Sequence, residues 1–276
     1  MSVSTVVTPP VSPAAGFARR RDLWWQFTVR TVQQRHRGSH LGLLWALLNP
    51  VLMLALYFTV FGFILGGNLG ALPDETPTDF ALAIFLGLIL YQLVAETLVV
   101  APSMIVNNPN MVKKVVFPLE ILPLAHLGAI WFNTLISLTL LLAGAAIFGR
   151  GLTLTGLLWL PVILAPLALL SIGVGWLFSA LGVFFRDFTQ AMPFFTQILL
   201  YVSLVFFPVG KVPAALMLFL KWNPLLHTIQ LARSAVLWEL PLNLRHLAYT
   251  YAVGGAFFLI GRWAFQKLKP TFADVL

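Results

Sequence analysis

The sequence predicts an all-α integral membrane protein with six transmembrane helices, an N-terminal amphipathic interface helix, and a re-entrant hairpin between spans five and six. Three observations carry this prediction. Hydrophobic residues make up 59% of the 276 and charged residues only 9%, against roughly 25% charged in an average soluble domain. The apolar residues gather into runs long enough to cross about 30 Å of hydrocarbon, which takes roughly 20 residues. The basic residues that give the net charge of +8 are unevenly spread along the chain. In a membrane protein such asymmetry reads first as topology and as attraction to anionic headgroups. Nucleic-acid binding is the weaker reading, because no polar stretch can carry a soluble basic face.

Five runs qualify as spans: Leu41–Leu65, Phe80–Val106, Ile121–Phe148, Leu157–Phe185 and Phe188–Pro208. Only the second holds a charge, Glu96. A sixth, shorter run, His246–Gly261, lies between Arg245 and Arg262, whose side chains can snorkel to the two interfaces. Residues 1–18 are uncharged and contain Pro9, Pro10 and Pro13. They lack the early positive charge and unbroken apolar core of a secretory signal, and read as a disordered cytoplasmic tail. A single transmembrane domain then covers 19–270, with a second short cytoplasmic tail at 271–276.

Orientation follows from Lys and Arg in the short loops. The segment before the first span carries Arg19, Arg20, Arg21, Arg30, Arg35 and Arg37, and the first connection carries none. Lys113 and Lys114 fall in the second connection, only Arg150 in the third and Arg186 in the fourth, and Arg262, Lys267 and Lys269 follow the last span. Both termini are therefore expected in the cytoplasm. Lys211, Lys221, Arg233 and Arg245 run against the trend in the fifth connection. That connection holds two apolar runs, Ala214–Leu220 and Leu225–Leu237, broken by Pro213, Trp222, Asn223 and Pro224. Neither is long enough to cross. A re-entrant hairpin fits, since backbone dipping into a bilayer must be shielded by protein or a cavity.

Asp22–Arg37 predicts a helix of another kind. Trp24, Trp25, Phe27, Val29 and Val32 share one side, and Gln26, Arg30, Gln33 and Arg37 the other. An apolar face against an Arg/Gln face is the pattern of a helix in the headgroup plane.

The motifs exclude most enzyme classes. There is no Gly-x-x-x-x-Gly-Lys-[Ser/Thr] loop to cradle ATP, no His-Glu-x-x-His, no Gly-x-Ser-x-Gly and no cysteine. The five histidines are scattered, and packing or interface positions suit them better than metal ligation. Glu96 has no acidic partner in another span. It reads as a hydrogen-bonding group between helices rather than a proton carrier. In the fifth span Gln190, Phe194, Gln197 and Tyr201 lie at i, i+4, i+7 and i+11, one stripe of amides and rings. Such a stripe suits a carbohydrate, whose hydroxyls need hydrogen bonds and whose C–H faces stack on rings. It also suits polar contact between helices. Tyr57 and Phe61 form a weaker stripe in the first span.

Four segments together resemble a known family. They are Arg35–Pro50 (RHRGSHLGLLWALLNP), Asn110–Pro123 (NMVKKVVFPLEILP), Phe185-Arg186-Asp187 and Trp222–Arg233 (WNPLLHTIQLAR). In order and spacing, from about residue 20 to 265, they are similar to type-2 ABC exporter permeases of the polysaccharide group, which move O-antigen, capsule or teichoic acid. The resemblance implies a channel-forming permease for lipid-linked polysaccharide in the bacterial inner membrane. Two copies would pair around a pathway, above two separate ATPase subunits that hold ATP and magnesium. No cofactor or metal is implied on this chain. The resemblance further implies a coupling element at Asn110, Lys113, Lys114, Pro118 and Glu120 with Arg186 and Asp187, and an external gate at Pro208, Trp222, Asn223 and Pro224. The other readings are an exporter of a drug or simple lipid on the same architecture, and a membrane transferase. The transferase would need paired acids on one membrane face, which the sequence lacks.

Overall fold

A computed structural model describes residues 13–36, 40–64, 67–113 and 117–276. Among these the chain is all helix, with no strand. Four helices are long and apolar enough to cross a membrane: Trp45–Ile64, Pro77–Ser103, Ile121–Phe148 and Leu154–Phe184. They are the first four expected spans, and the chain is a multi-pass membrane protein.

Helix α1 (Pro13–His36) starts inside the tail expected to be disordered. Proline in a first turn gives up no intrahelical bond and presets φ, so Pro13 opens a helix that Ala14 and Ala15 favour. Helix α2 (Trp45–Tyr57) tolerates Pro50 in its first turns and widens into a π-helical stretch, Phe58–Ile64. Little of it is covered: Ala46 and Gly62 are its buried residues among those described. Helix α3 (Pro77–Val100) is the most buried of the four spans. A reciprocal capping box starts it: the Thr76 hydroxyl accepts from the Asp79 amide, and Asp79 accepts from the Thr76 amide at 3.0 Å.

A short helix, α4 (Pro109–Lys113), links α3 to α5 (Ile121–Phe148). The turn after α5 leads into α6 (Leu154–Phe184). Pro166 inside α6 has no N–H to give the Val162 carbonyl, which a bilayer could not solvate. The Tyr251 hydroxyl donates to that oxygen at 2.9 Å. Tyr251 belongs to α10 (Leu244–Leu268), which lies so close to α6 that a Cβ on Gly254 or Gly261 would strike the Pro166 or Gly173 carbonyl.

The last two expected spans differ from the runs that predicted them. Helix α7 (Phe188–Val202) has 15 residues and stops six short of Pro208. Leu204 adopts a left-handed φ of 50°, and the Val205 carbonyl turns away to accept from Arg233 at 2.6 Å. A fully buried guanidinium has claimed the backbone that a longer helix would have used. Helix α10 is longer than its apolar run, with 25 residues including Arg245, Arg262 and Lys267. Between α7 and α10, where the re-entrant hairpin is expected, lie two short helices, α8 (Ala214–Leu220) and α9 (Pro224–Val236). A short tail is expected at 271–276. It forms α11 (Phe272–Val275), and Phe272 packs fully buried beside Trp176 and Phe265.

The main core surrounds α3, with α5, α6 and α9 packed against it. The bundle has two ends. One carries α1, α4 and α11. The other carries the α8–α9 hairpin and the turn at Arg150.

Candidate functional site

Four of the six expected pathway residues lie on a surface that this chain does not cover. Gln190, Phe194, Gln197 and Tyr201 are all exposed along one face of α7, Phe194 by 67% and Tyr201 by 52%. The opposite face holds Met192 and Thr196 against α3, fixed by a hydrogen bond from the Tyr91 hydroxyl to the Thr196 carbonyl at 2.9 Å. The amphipathic split of α7 therefore points its amides and rings outward. Tyr57 and Phe61 are half-buried instead. Phe61 stacks on Phe206 with centroids 5.3 Å apart and meets Phe80 edge-on, and Tyr57 lies 6.4 Å from Phe206. Together they close the hairpin end of the space between α2 and α3.

Below this aromatic cluster is a cavity of about 430 Å³, lined by Asn49, Tyr57, Gln92, Glu96, Asn133 and Ser137 among apolar neighbours. The Asn133 Oδ1 is buried there without a hydrogen-bond partner among the described residues. Glu96 forms an ion pair with Arg35 of α1. The acid joins helices, as its sequence context predicts, but its partner is a cation on the interface helix. Asn49, Gln92 and Asn133 were overlooked, and their signal was plain: each is an amide inside an otherwise apolar run.

The expected coupling residues gather at the α4 end. Asn110 and Lys113 are exposed on α4, Pro118 is half-buried, and Arg186 and Asp187 are exposed in the turn before α7. Glu120 is tied back by Lys269, 2.9 Å away, and its carbonyl accepts from the Trp176 indole at 3.2 Å. Lys114 lies outside the described residues, as does Arg37.

Helix α1 docks on α5. The Trp24 indole donates to the Leu124 carbonyl at 3.0 Å, Phe27 meets Phe117 at 5.0 Å, and Thr28 is buried over Gly128. Trp25 and Arg30 remain exposed. The apolar face expected to meet lipid alone thus meets protein through Trp24, Phe27 and Thr28.

At the opposite end the hairpin is held by polar bonds. The Asn223 side chain caps α9 by accepting from the Leu225 amide at 3.0 Å, and donates to the Ser203 hydroxyl at 2.9 Å. Pro224 supplies the first residue of α9. Trp222 is 66% exposed, while its carbonyl accepts from the Tyr249 hydroxyl at 2.7 Å. Pro208 is half-buried where the chain leaves α7. Arg233 anchors the hairpin from inside: fully buried, it donates from Nε to Ala83 of α3 at 2.9 Å as well as to Val205. Nearby, Arg150 donates to Asp79 at 3.1 Å and pairs with Asp74 at 3.1 Å. Its hydrogen bond holds the Asp74 carboxyl below the ordinary carboxylate range and raises the guanidinium.

The ABC-2 type transporter family matches residues 22–237, and the chain belongs to that family. Among its relatives is the O-antigen export system permease protein RfbA of Klebsiella pneumoniae, 24% identical over 255 residues, which covers 92% of this chain and 95% of the relative. The polysialic acid transport protein KpsM of Escherichia coli is 27% identical over 213 residues, 76% of this chain and 79% of the relative. RfbA of Myxococcus xanthus is 25% identical over 221 residues, 79% and 81% of the two chains.

Proposed function

We propose that this chain is the permease subunit of an ATP-driven exporter that moves lipid-linked polysaccharide across a bacterial inner membrane. What carries the reading is similarity over 92% and 76% of this chain to two proteins whose names state different cargoes, O-antigen and polysialic acid. The exposed amide and aromatic stripe of α7 supports it. So does the sparsely covered α2, since two such faces from a pair of chains would enclose a path.

In this reading α7 and α10 complete six spans with both termini cytoplasmic. Fifteen residues of α7 rise only about 22 Å, and the re-entrant α8–α9 hairpin makes up the remaining depth as an external gate. ATP and magnesium bind a partner ATPase that docks on α4, Pro118–Glu120 and the Arg186-Asp187 turn. Phe194 and Tyr201 offer ring faces to passing sugars, with contacts weak enough to release.

The test is reconstitution with the ATPase subunit in vesicles supplied with lipid-linked polymer. Polymer should stimulate ATP hydrolysis and accumulate inside inverted vesicles. Phe194→Ala with Tyr201→Ala should slow export several-fold with little change in thermal stability, because both rings are more than half exposed and Phe194 makes its ring contact with its helix neighbour Phe195. Polymer that neither moves nor stimulates hydrolysis, while a drug or simple lipid does both, would sink the proposal.

A further inference from the structure

The α4 end of the bundle contains a two-part cavity that the transport pathway does not use. Its first part, about 470 Å³, is walled by Arg20 and Arg21 of α1, Glu120, Trp176 of α6 and Arg262 of α10. The one carboxylate there, Glu120, already pairs with Lys269. Arg21 touches Asp22 at 3.5 Å, and both are exposed. Arg20 and Arg262 have no ion-pair partner among the described residues. The pocket is therefore net cationic.

The second part is an apolar groove of about 780 Å³ between Trp25, Val29 and Val32 of α1 and Trp131 and Phe132 of α5, with Ile172 of α6. Trp24 and Leu124 line both parts. Ile172 precedes Trp176 by one helical turn, so the groove continues from the pocket toward the middle of the bundle. The polar groups at the junction are already used: the Trp24 indole on Leu124, and the Thr28 hydroxyl on the Trp24 carbonyl at 2.8 Å. One end thus wants an anion and the other a hydrocarbon chain.

We propose that this cavity binds one anionic phospholipid, its phosphate among Arg20, Arg21 and Arg262 and an acyl chain in the groove, bracing α1 against α5. Basic pockets between membrane helices select acidic headgroups. A second copy of this chain is a poor occupant, since it would bring the same arginines and a like charge. A zwitterionic lipid would leave the cationic pocket uncompensated.

The experiment uses the full chain in nanodiscs of phosphatidylcholine, with or without phosphatidylglycerol whose acyl chains carry bromine. Native mass spectrometry counts retained lipid, and tryptophan quenching reports chains in the groove. Phosphatidylglycerol should be retained over phosphatidylcholine and raise the melting temperature. Arg20→Gln, Arg21→Gln and Arg262→Gln should each weaken retention about fivefold, and about a hundredfold together. Should the triple variant misfold, Trp131→Phe in the otherwise native chain still tests the groove, by removing part of the quenching specific to phosphatidylglycerol. Equal retention of both lipids overturns the proposal, as does quenching unaltered by Trp131→Phe. Retention of an added polyprenyl diphosphate but not of phosphatidylglycerol would assign the cavity to the substrate's carrier and overturn it too. Unchanged lipid retention with a loss of dimer or ATPase binding would make it a protein interface instead.

Discussion

Two adjacent glycines on α10 provide a matched pair of substitutions. A Cβ on Gly254 would lie well under 3.0 Å from the Pro166 carbonyl oxygen, which is backbone and cannot swing aside, whereas one on Gly255 meets nothing within 4 Å. Gly254→Ala must therefore push α10 off α6. Overpacking of this kind costs about 1–3 kcal/mol. Separation also stretches the bond from Tyr251 to the Val162 carbonyl, an oxygen that Pro166 leaves without a helical donor. Losing that bond adds about 1 kcal/mol, for an expected total of about 2–4 kcal/mol. Gly255→Ala should be neutral or stabilising by up to about 1 kcal/mol, because alanine restricts the unfolded chain and favours helix. The assay is unfolding in mixed micelles followed by tryptophan fluorescence, with size exclusion to count folded protein. Tyr251→Phe isolates the hydrogen bond. Equal effects at the two glycines would falsify the close α6–α10 packing.

Four further outcomes can be measured. Arg150→Met should lower stability, because it leaves the buried, capping Asp79 without its charged partner. The pH dependence has a definite sign. Asp74 is depressed in the folded state, so its contribution is full above the unfolded carboxylate range and fades as pH falls through the lower folded value; acid titration of amide exchange in residues 69–79 should show this in the native chain and not in the variant. Asn223→Ala removes a cap and the Ser203 bond and should destabilise the hairpin by about 1–2 kcal/mol, seen as faster exchange at Leu225; unchanged exchange there would reject the clamp. Lys113→Glu with Lys114→Glu should lower transport-linked ATP turnover in the assembled complex while membrane insertion persists, and unchanged turnover would leave these lysines as topology signals alone.

What could be read from the sequence was what local pattern determines. Four spans and the hairpin follow from the lengths of apolar runs and from Pro213 and Pro224, which interrupt them where the structure does. The stripe of Gln190, Phe194, Gln197 and Tyr201 was legible from spacing, and all four are exposed on α7. The end of α7 was not legible, because Leu204–Phe207 is apolar and nothing nearby interrupts it. The decision is made by Arg233, 28 residues from Val205. The same arginine, counted as a loop charge, runs against the orientation rule, yet it is fully buried and faces no solvent. Glu96 looked solitary because its partner, Arg35, lies on an element read as meeting lipid. Periodicity reports which face of a helix is apolar, and it is silent on whether lipid or protein covers that face.

Arg233 also constrains how the protein can be made. An arginine released into hydrocarbon costs about 2.5–3.5 kcal/mol even on lenient insertion scales. Its partners here are carbonyls, from Ala83 and Val205, and both precede it in the chain. Synthesis therefore delivers the acceptors before the guanidinium that needs them. Helix α9 can leave water only once α3 and the end of α7 stand together, so the hairpin folds onto a completed wall and does not nucleate one. A nascent chain halted before residue 233 would hold its early spans with the α8–α9 end of the bundle still unformed.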